Sequence, residues 1–366
     1  MRFAALRVNP IVRQKGTRII EPYLEDMENR IDPDAEEELF LQWKRFLDGR
    51  MNTGFFSPGR QRPSPPTLKW PTVRVNETLA DFERMALQQL CACSATLEYG
   101  TGAVMNVRAN YGTGILSSVF GAEIFVMDDQ MNTLPTTRPM SGGVDAVRRL
   151  LDKGVPDLRA GYGEQCLAMG RYFVDLFADY PNVSRCVHVY HPDLQGPMDI
   201  CELLWGSDLF IGLIDTPDLV HSLLELITET YIRFMREWEQ IVPPRDGYSP
   251  HWGMMHRGRI MIRDDSAMNL SPEMFDEFIR PYDQRLLSEF GGGAVHFCGR
   301  GDHYIDSLTD MTGMYAVNMS QPECNDMERI FRNTIDKGIM LIGLQSDAAE
   351  AATGQGRDLR GRVHCC

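Results

Sequence analysis

The sequence predicts an α/β protein: a single (β/α)8 (TIM) barrel with a helical and irregular N-terminal extension. Short apolar runs alternate with amphipathic helical segments, a pattern typical of parallel strands joined by right-handed crossovers. Seven or eight such runs occur, which favours a closed barrel over an open sheet. No GxGxxG motif follows a first strand, which argues against an open dinucleotide-binding sheet.

The N-terminal extension is predicted to span residues 1–80 and to pack on a barrel of residues 81–366. Within it, the stretch 36–50 places its apolar residues at helical spacing. The stretch 57–73 is rich in proline and arginine, which predicts a loop or covering arm.

A second helix is predicted over residues 76–98, with its N-cap at Asn76 or Thr78. The CAC motif inside it resembles a metal motif. However, residues two apart in a helix face different ways, so Cys91 and Cys93 are predicted to be structural.

The strands of the barrel are predicted from apolar runs that end in polar turns. In chain order these runs are AVMNVRANYG, RCVHVYHPD, RIMIRDD, GAVHFCG, MYAVNMS, IMLIGLQ and RVHCC, with FIGLIDTPD (210–218) as a further candidate. Amphipathic helices are predicted between them, over residues 217–241, 271–290 and 325–338.

Composition narrows the class of protein. The chain of 366 residues is 43% hydrophobic, enough for a large core, and its net charge of −14 argues against nucleic-acid binding. Nine cysteines at irregular spacing indicate a reducing compartment rather than a disulfide framework. The sequence shows neither a signal peptide nor a membrane-spanning run, so we expect a cytoplasmic protein without membrane partners.

Polar residues follow the apolar runs, at or just past the predicted strand ends. They are Asn110, Tyr111, Asp193, Gln195, Asp264, Asp265, His296, Cys298, Asn318 and Gln345. In a barrel the carboxyl ends of the strands converge on the face that carries the chemistry, which indicates an enzyme. The predicted substrate-binding residues are Asn110, Tyr111, Gln195, Asn318 and Gln345.

A metal site is predicted from His296 and Cys298. Residues two apart in a strand point to the same side, and zinc prefers imidazole nitrogen and thiolate sulfur as ligands. The alternative is a buried cysteine beside a hydrogen-bonded histidine. A third ligand is predicted at Cys365 in the last strand, with Cys366 and Cys324 as alternatives.

The acid pair Asp264 and Asp265 is predicted to be catalytic, as a carboxylate that orients substrate or exchanges a proton. Successive side chains of a strand point to opposite sides, so we expect only one to enter the barrel mouth. The other is expected to pair with Arg263 or Arg259. The structural alternative is solvation of a strand end just before a helix that Ser271 caps.

The cluster HWGMMH (251–256) is loop-like and rich in large side chains. It is predicted either to fill the core, the commoner use of methionine, or to line a pocket for a bulky apolar cofactor.

Several segments together resemble the uroporphyrinogen decarboxylase superfamily over roughly residues 100–366. They are DLQGPMDICELLWG, DTPDLVHSLLELITETY, DDSAMNLSPEMFDEFIRPYDQRLL, AVHFCGRGDHYIDSL, GMYAVNMS and IMLIGLQ. This resemblance implies a single (β/α)8 barrel.

The resemblance is closest to the branch of zinc-dependent methyltransferases, which pass methyl groups between a corrinoid protein and a thiol. That branch has an HxC pair on one strand and a cysteine near the last strand, and His296, Cys298 and Cys365 stand at those positions. The decarboxylase branch has an arginine- and glycine-rich first strand, whereas here VRANYGTG has Arg108 alone.

The resemblance therefore implies a zinc-dependent methyltransferase whose corrinoid (cobalamin) is carried by a partner protein, because these 366 residues lack a DxHxxG motif. The small partner is a thiol or another methyl donor or acceptor, and a homodimer is a further prediction. The first alternative is a cofactor-free decarboxylase of a carboxylated substrate, with Asp264 or Asp265 essential. The second is a barrel that binds a corrin or thiol without turnover.

Overall fold

A computed structural model describes residues 19–365 as a mixed α/β fold. The helices are α1 Glu21–Arg30, α2 Pro33–Leu47, α3 Val75–Thr78, α4 Phe82–Tyr99, α5 Ile115–Val119, α6 Gly143–Lys153, α7 Gly163–Phe177, α8 Pro181–Cys186, α9 Pro197–Trp205, α10 Asp208–Asp215, α11 Pro217–Ile241, α12 Pro272–Phe278, α13 Arg280–Glu289, α14 Ile305–Thr309, α15 Met327–Asn333 and α16 Ser346–Gly354. The strands are β1 Asn106–Val107, β2 Glu123–Phe125, β3 Thr136–Arg138, β4 His188–Val189, β5 Tyr248–His251, β6 Met254–Arg257, β7 Ile260–Arg263, β8 Gly293–Phe297, β9 Met314–Met319, β10 Met340–Leu344 and β11 Val363–Cys365.

The largest sheet is parallel and has five strands in the order β11-β10-β9-β8-β7. Strands β1 and β4 form a separate parallel pair, and β2–β3 and β5–β6 form antiparallel pairs. Helices connect each strand of the large sheet to the next, because parallel neighbours need a crossover between them.

The two faces of the large sheet bury different partners. Alternate residues such as Ile262, Val295 and Val317 belong to the larger apolar cluster, which includes the surrounding helices. The residues between them, such as Ala294 and Ala316, belong to a smaller cluster with α2 and the β5–β6 hairpin. We call this second side the inner face; it is the face on which the strand alternation places His296 and Asn318.

Two helix starts follow from local chemistry. The Asp32 carboxylate accepts the backbone N–H groups of Asp34 and Ala35 at the start of α2. The Ser271 hydroxyl accepts the N–H of Met274, as predicted, at the start of α12. Such a cap typically stabilises a helix by about 1 kcal/mol.

The predicted strand positions are confirmed for the seven apolar runs, each of which contains a strand. The further candidate at 210–218 is wrong, because those residues begin within α10. Leu209, Gly212 and Leu213 are buried at helical spacing in α10. A short apolar run does not by itself distinguish the helical period from the period of two in a strand.

The predicted N-cap of the second helix is also wrong. Asn76 and Thr78 lie in the one-turn helix α3, and α4 starts after Asp81, whose carboxylate accepts the N–H of Arg84. The CAC cysteines lie within α4 as predicted.

The described part of the extension, residues 19–80, contacts the rest of the fold. The Trp43 indole donates to the Gly102 carbonyl at 3.1 Å. Phe56 forms a parallel bridge with His364 of β11, at the edge of the large sheet. Between residues 19 and 365, we find no helix with both the length and the apolar character needed to cross a membrane.

Candidate metal centre

Three side chains converge where strands β7 and β8 end. Asp265 follows β7, His296 lies near the end of β8 and Cys298 follows that strand. One ligand atom from each lies within 4.8 Å of the other two. Among the described residues, this is the one group of three or more His, Cys, Asp or Glu side chains that could hold a metal ion.

The distances within the group are short. His296 Nε2 lies 3.3 Å from Cys298 Sγ and 3.7 Å from Asp265 Oδ1. The backbone N–H of Cys298 donates to the same Oδ1 at 2.9 Å, which ties the end of β8 to the loop after β7. A nitrogen, a sulfur and an oxygen therefore face one point.

Asn318 sets the tautomer of His296. The amide nitrogen of Asn318 donates to the Ile342 carbonyl at 2.7 Å, so its Oδ1 is the atom that lies 2.6 Å from His296 Nδ1. An oxygen acceptor there requires a proton on Nδ1, which leaves the Nε2 lone pair directed at Cys298 and Asp265. Burial lowers the pKa of His296, against the opposing effects of Asn318 and Asp265, which favours the neutral ring.

Cys298 is half-buried, and burial raises the pKa of its thiol. Its Sγ lies 3.5 Å from the Ser320 hydroxyl, a contact that lowers the pKa and partly offsets burial, whereas the Asp265 carboxylate raises it. Gly299 turns the chain directly afterwards with φ +71°, a conformation that L side chains rarely adopt.

The loop that carries Asp265 is held by Asp199 of α9. The Asp199 carboxylate accepts the backbone N–H groups of Asp265 and Ser266 at 2.9 and 2.8 Å. Gln195 donates to Asp199 at 3.2 Å and to the Asp265 carboxylate at 3.5 Å. The turn after β4 thus positions the loop after β7.

One arginine adjoins the group, and a second shares its carboxylate partner. Arg263 is the register partner of His296 on the neighbouring strand, and its guanidinium lies 2.9 Å from the Asp193 carboxylate. Arg108 pairs with the same carboxylate. Their side chains are only 13% and 15% exposed, so the one buried carboxylate of Asp193 forms ion pairs with two largely buried guanidinium groups.

The donor set fits zinc. Imidazole nitrogen, thiolate sulfur and carboxylate oxygen are its usual protein ligands, and three protein ligands leave a position for substrate. A metal-binding histidine usually donates its other N–H to an oxygen acceptor, as His296 does to Asn318.

No family model matches the chain, and the search of curated proteins returned no match. Among solved structures, the chain is similar to a methyltransferase from Methanosarcina mazei. The TM-score is 0.57 at 18% sequence identity, over 83% of this chain and 82% of that one. At this identity the likeness concerns the fold.

The structure separates the predicted acid pair. Asp265 lies in the group, whereas Asp264 is fully buried beside Asp283 of α13. The expected pairing of the second carboxylate with Arg263 or Arg259 is not seen. Burial and the neighbouring Asp283 raise the pKa of Asp264 well above its usual range, which favours its neutral form.

Cys365 is not brought into the group. It is 1% exposed and belongs to the larger apolar cluster, whereas its neighbour His364 contacts Trp43 on the inner face. In strand β11, Cys365 therefore points away from the face that carries His296. Cys324 is exposed outside the group, and Cys366 lies outside the described residues.

Of the predicted substrate-binding residues, some contact the group and others lie elsewhere. Gln195 and Asn318 contact the group, and Asn110 accepts a hydrogen bond from Arg108 at 3.0 Å. Tyr111 is fully buried against Tyr162, with its ring 5.0 Å away. Gln345 is exposed and lines a separate surface pocket.

Sequence reasoning did not single out Ser320, and it considered Asp265 as a catalytic residue rather than a ligand. It marked Trp252 only as part of the HWGMMH cluster, predicted to fill the core or line a pocket. Ser320 follows β9, so the same strand-end pattern that marked Asn318 was available for it. That pattern did not predict that Trp252 lies beside His296, because its position depends on where the hairpin packs.

Replacing Asn318 with alanine is expected to weaken zinc binding by about 10- to 100-fold, because His296 then loses the acceptor that fixes its tautomer and ring orientation. Competition with a chromophoric chelator measures the affinity. Asn333→Ala, which removes an amide bonded to the Arg329 carbonyl in α15, is the control and should leave the affinity unchanged. Equal affinity for Asn318→Ala and wild type would show that the contact is not needed.

Proposed function

We propose that this protein is a zinc-dependent methyltransferase that moves a methyl group between a corrinoid protein and a thiol or other small donor or acceptor. The observation that carries the proposal is the convergence of Asp265, His296 and Cys298 at the strand ends. The fold likeness to a methyltransferase supports the reaction class. The resemblance of the sequence segments supports placement in the uroporphyrinogen decarboxylase superfamily, in its methyltransferase branch.

The proposed architecture is a closed (β/α)8 barrel. Phe56 extends the large sheet beyond β11, with backbone hydrogen bonds to Val363 and Cys365 at 2.7 and 2.9 Å. At the other edge, the N–H of Gly196, which follows β4, donates to the Arg263 carbonyl of β7 at 2.7 Å. These backbone hydrogen bonds at both edges of the five-stranded sheet support the proposed closure, because a closed barrel leaves no sheet edge unpaired.

Asp265, His296 and Cys298 are the proposed zinc ligands, so Asp265 takes the place expected for Cys365. When bound, zinc lowers the pKa of a coordinated thiol and holds it as the nucleophilic thiolate. Asn318 keeps the His296 Nε2 lone pair available, and Asp199 keeps the Asp265 loop in place. Asp265 is also the member of the acid pair that we propose to contact substrate.

The corrinoid partner protein is also part of the proposal, since the reaction needs a carrier of the methyl group. A reducing, cytoplasmic setting is also part of the proposal, because no disulfide joins the eight cysteines that the structure describes. A free thiol at Cys298 is required for metal binding, and it persists best in a reducing compartment.

Methyl transfer is tested directly with purified protein, zinc, methylcobalamin and a small thiol, by following the loss of methyl-corrin absorption. We expect thiol methylation that a chelator abolishes and added zinc restores. The rate of thiol methylation by His296→Ala should fall to the uncatalysed rate. A wild-type protein that binds no zinc when supplied with it would overturn the proposal and favour the cofactor-free decarboxylase.

A further inference from the structure

The β5–β6 hairpin reaches the inner face of the large sheet. Its strands pair from Tyr248 with Arg257 to His251 with Met254, which leaves a two-residue turn of Trp252 and Gly253. Met254 and Met255 pack with the inner-face residues of β8, β9 and β10. The HWGMMH cluster is therefore inserted against the sheet, and its turn lies beside His296.

The turn has an unfavourable residue at its first position. Trp252 has φ +50° and Gly253 has φ +78°. A two-residue hairpin turn with positive φ at both positions strongly favours Asn-Gly, and a bulky side chain at positive φ is an outlier. Backbone strain of this kind persists only where the surroundings hold it, and it is common at functional sites.

The Trp252 side chain contacts His296 of the metal group and the adjoining Arg263 and Asp193, and its ring also packs against His251 at a centroid distance of 4.6 Å. Its ring centroid lies 4.9 Å from that of His296, at an interplanar angle of 85°. The Arg263 guanidinium carbon lies 4.7 Å from the ring centroid. The indole Nε1–H donates to the Asp193 carboxylate at 3.2 Å.

These contacts restrict the side chains of both His296, a proposed ligand, and Arg263, the cation next to it. Asn318 holds His296 at Nδ1, and Trp252 holds the ring from another side, so the imidazole has little freedom to rotate. Arg263 is the register partner of His296, and an arginine free to swing would compete for the Asp265 carboxylate. Trp252 and Asp193 together retain Arg263 against the indole face.

We propose that Trp252 is a positioning residue of the metal centre: from the strained tip of the inserted hairpin it orients His296 and keeps Arg263 away from the metal ligands. The inference rests on the proposed function in so far as that function places zinc on Asp265, His296 and Cys298. It extends that function to a residue that contributes no ligand atom.

The test distinguishes the effect of the Trp252 ring on metal binding from the effect of the hairpin turn that carries it. Trp252→Asn supplies the favoured Asn-Gly turn and removes the indole, so the hairpin is retained. We expect its Co²⁺ and Zn²⁺ dissociation constants to rise by about 10-fold or more, with a changed Co²⁺ visible absorption spectrum. Trp252→Phe keeps a ring for Arg263 and His296 but loses the N–H, and its affinity should fall by about fivefold or less.

Trp205→Phe is the matched control, because that indole packs against Gly212 of α10. It should change neither affinity nor spectrum. Wild-type affinity and an unchanged Co²⁺ spectrum in Trp252→Asn would overturn the positioning role while leaving the metal centre intact. Should Trp252→Asn fail to fold, Trp252→Phe still tests the proposal: a loss of affinity as large as that from removal of a ligand would overturn the positioning role of the ring, because phenylalanine retains the ring. Failure of wild type to bind either metal would overturn both proposals.

Discussion

Cys298→Ser is expected to bind zinc at least about 100-fold more weakly than wild type, since loss of an outer contact alone costs 10- to 100-fold. The thiolate is the softest donor of the three and the one that most favours zinc. A serine hydroxyl keeps the size of the side chain but stays protonated, so it cannot replace the charge. Elemental analysis of purified proteins should find about one zinc per chain in wild type and none in this variant.

Two other cysteines provide controls. Cys324→Ser changes an exposed thiol outside the group, and Cys365→Ser changes a buried thiol in the larger apolar cluster. Both should retain zinc. Loss of zinc from Cys365→Ser as well would restore Cys365 as the third ligand and remove Asp265 from that role.

The second prediction concerns how the buried pair Asp264 and Asp283 makes the stability of the fold depend on pH. Asp264 and Asp283 are both fully buried, and their carboxyl oxygens have no donor from any other described group. A hydrogen bond between the two carboxyl groups therefore needs a proton on one of them. Burial raises the pKa of Asp283 from 3.8 to about 7, against the opposing effect of the hydrogen bond to Asp264.

This raised pKa makes stability fall as pH rises. Between pH 4 and pH 7 the folded state binds more protons than the unfolded state, at roughly 1.4 kcal/mol per pH unit for each extra proton. The stabilisation is complete below the unfolded pKa and is lost as pH rises through the folded pKa. The free energy of unfolding of wild type, relative to Asp283→Asn, should therefore decrease by up to about 4 kcal/mol over this window.

Urea unfolding of both proteins at several pH values between 4 and 8 measures this difference. Asp152→Asn, which changes an exposed carboxylate on α6, is the control. Its free energy of unfolding should vary with pH in the same way as that of wild type. A difference between wild type and Asp283→Asn that stays constant with pH would mean that Asp283 ionises normally in the folded protein.

The structure also shows which parts of the site the sequence could predict. His296 and Cys298 share a strand, and their proximity follows from the period of two along it. Asn318 and Gln195 were marked by the rule that polar residues gather at strand ends, although as substrate-binding residues rather than as neighbours of the metal ligands. Each of these inferences uses information within a few residues of the position concerned.

The third member of the group could not be chosen in this way. Asp265 and Cys365 both follow or end predicted strands, and the choice between them depends on which face each side chain meets. Strand β11 directs His364 to the inner face and Cys365 to the larger apolar cluster. A one-residue difference in register reverses this outcome, and the pattern VHCC contains no signal that sets it.

The sequence by itself determined the α/β class, the seven strand positions and the histidine–cysteine pair, because apolar periodicity and local spacing are encoded in neighbouring residues. Only the tertiary structure decided that Asp265 joins that pair, that Asp264 faces Asp283 and that Trp252 lies beside His296. Those relations join residues far apart in the chain. They depend on strand register and on the packing of an inserted hairpin, which are settled by burial against distant partners.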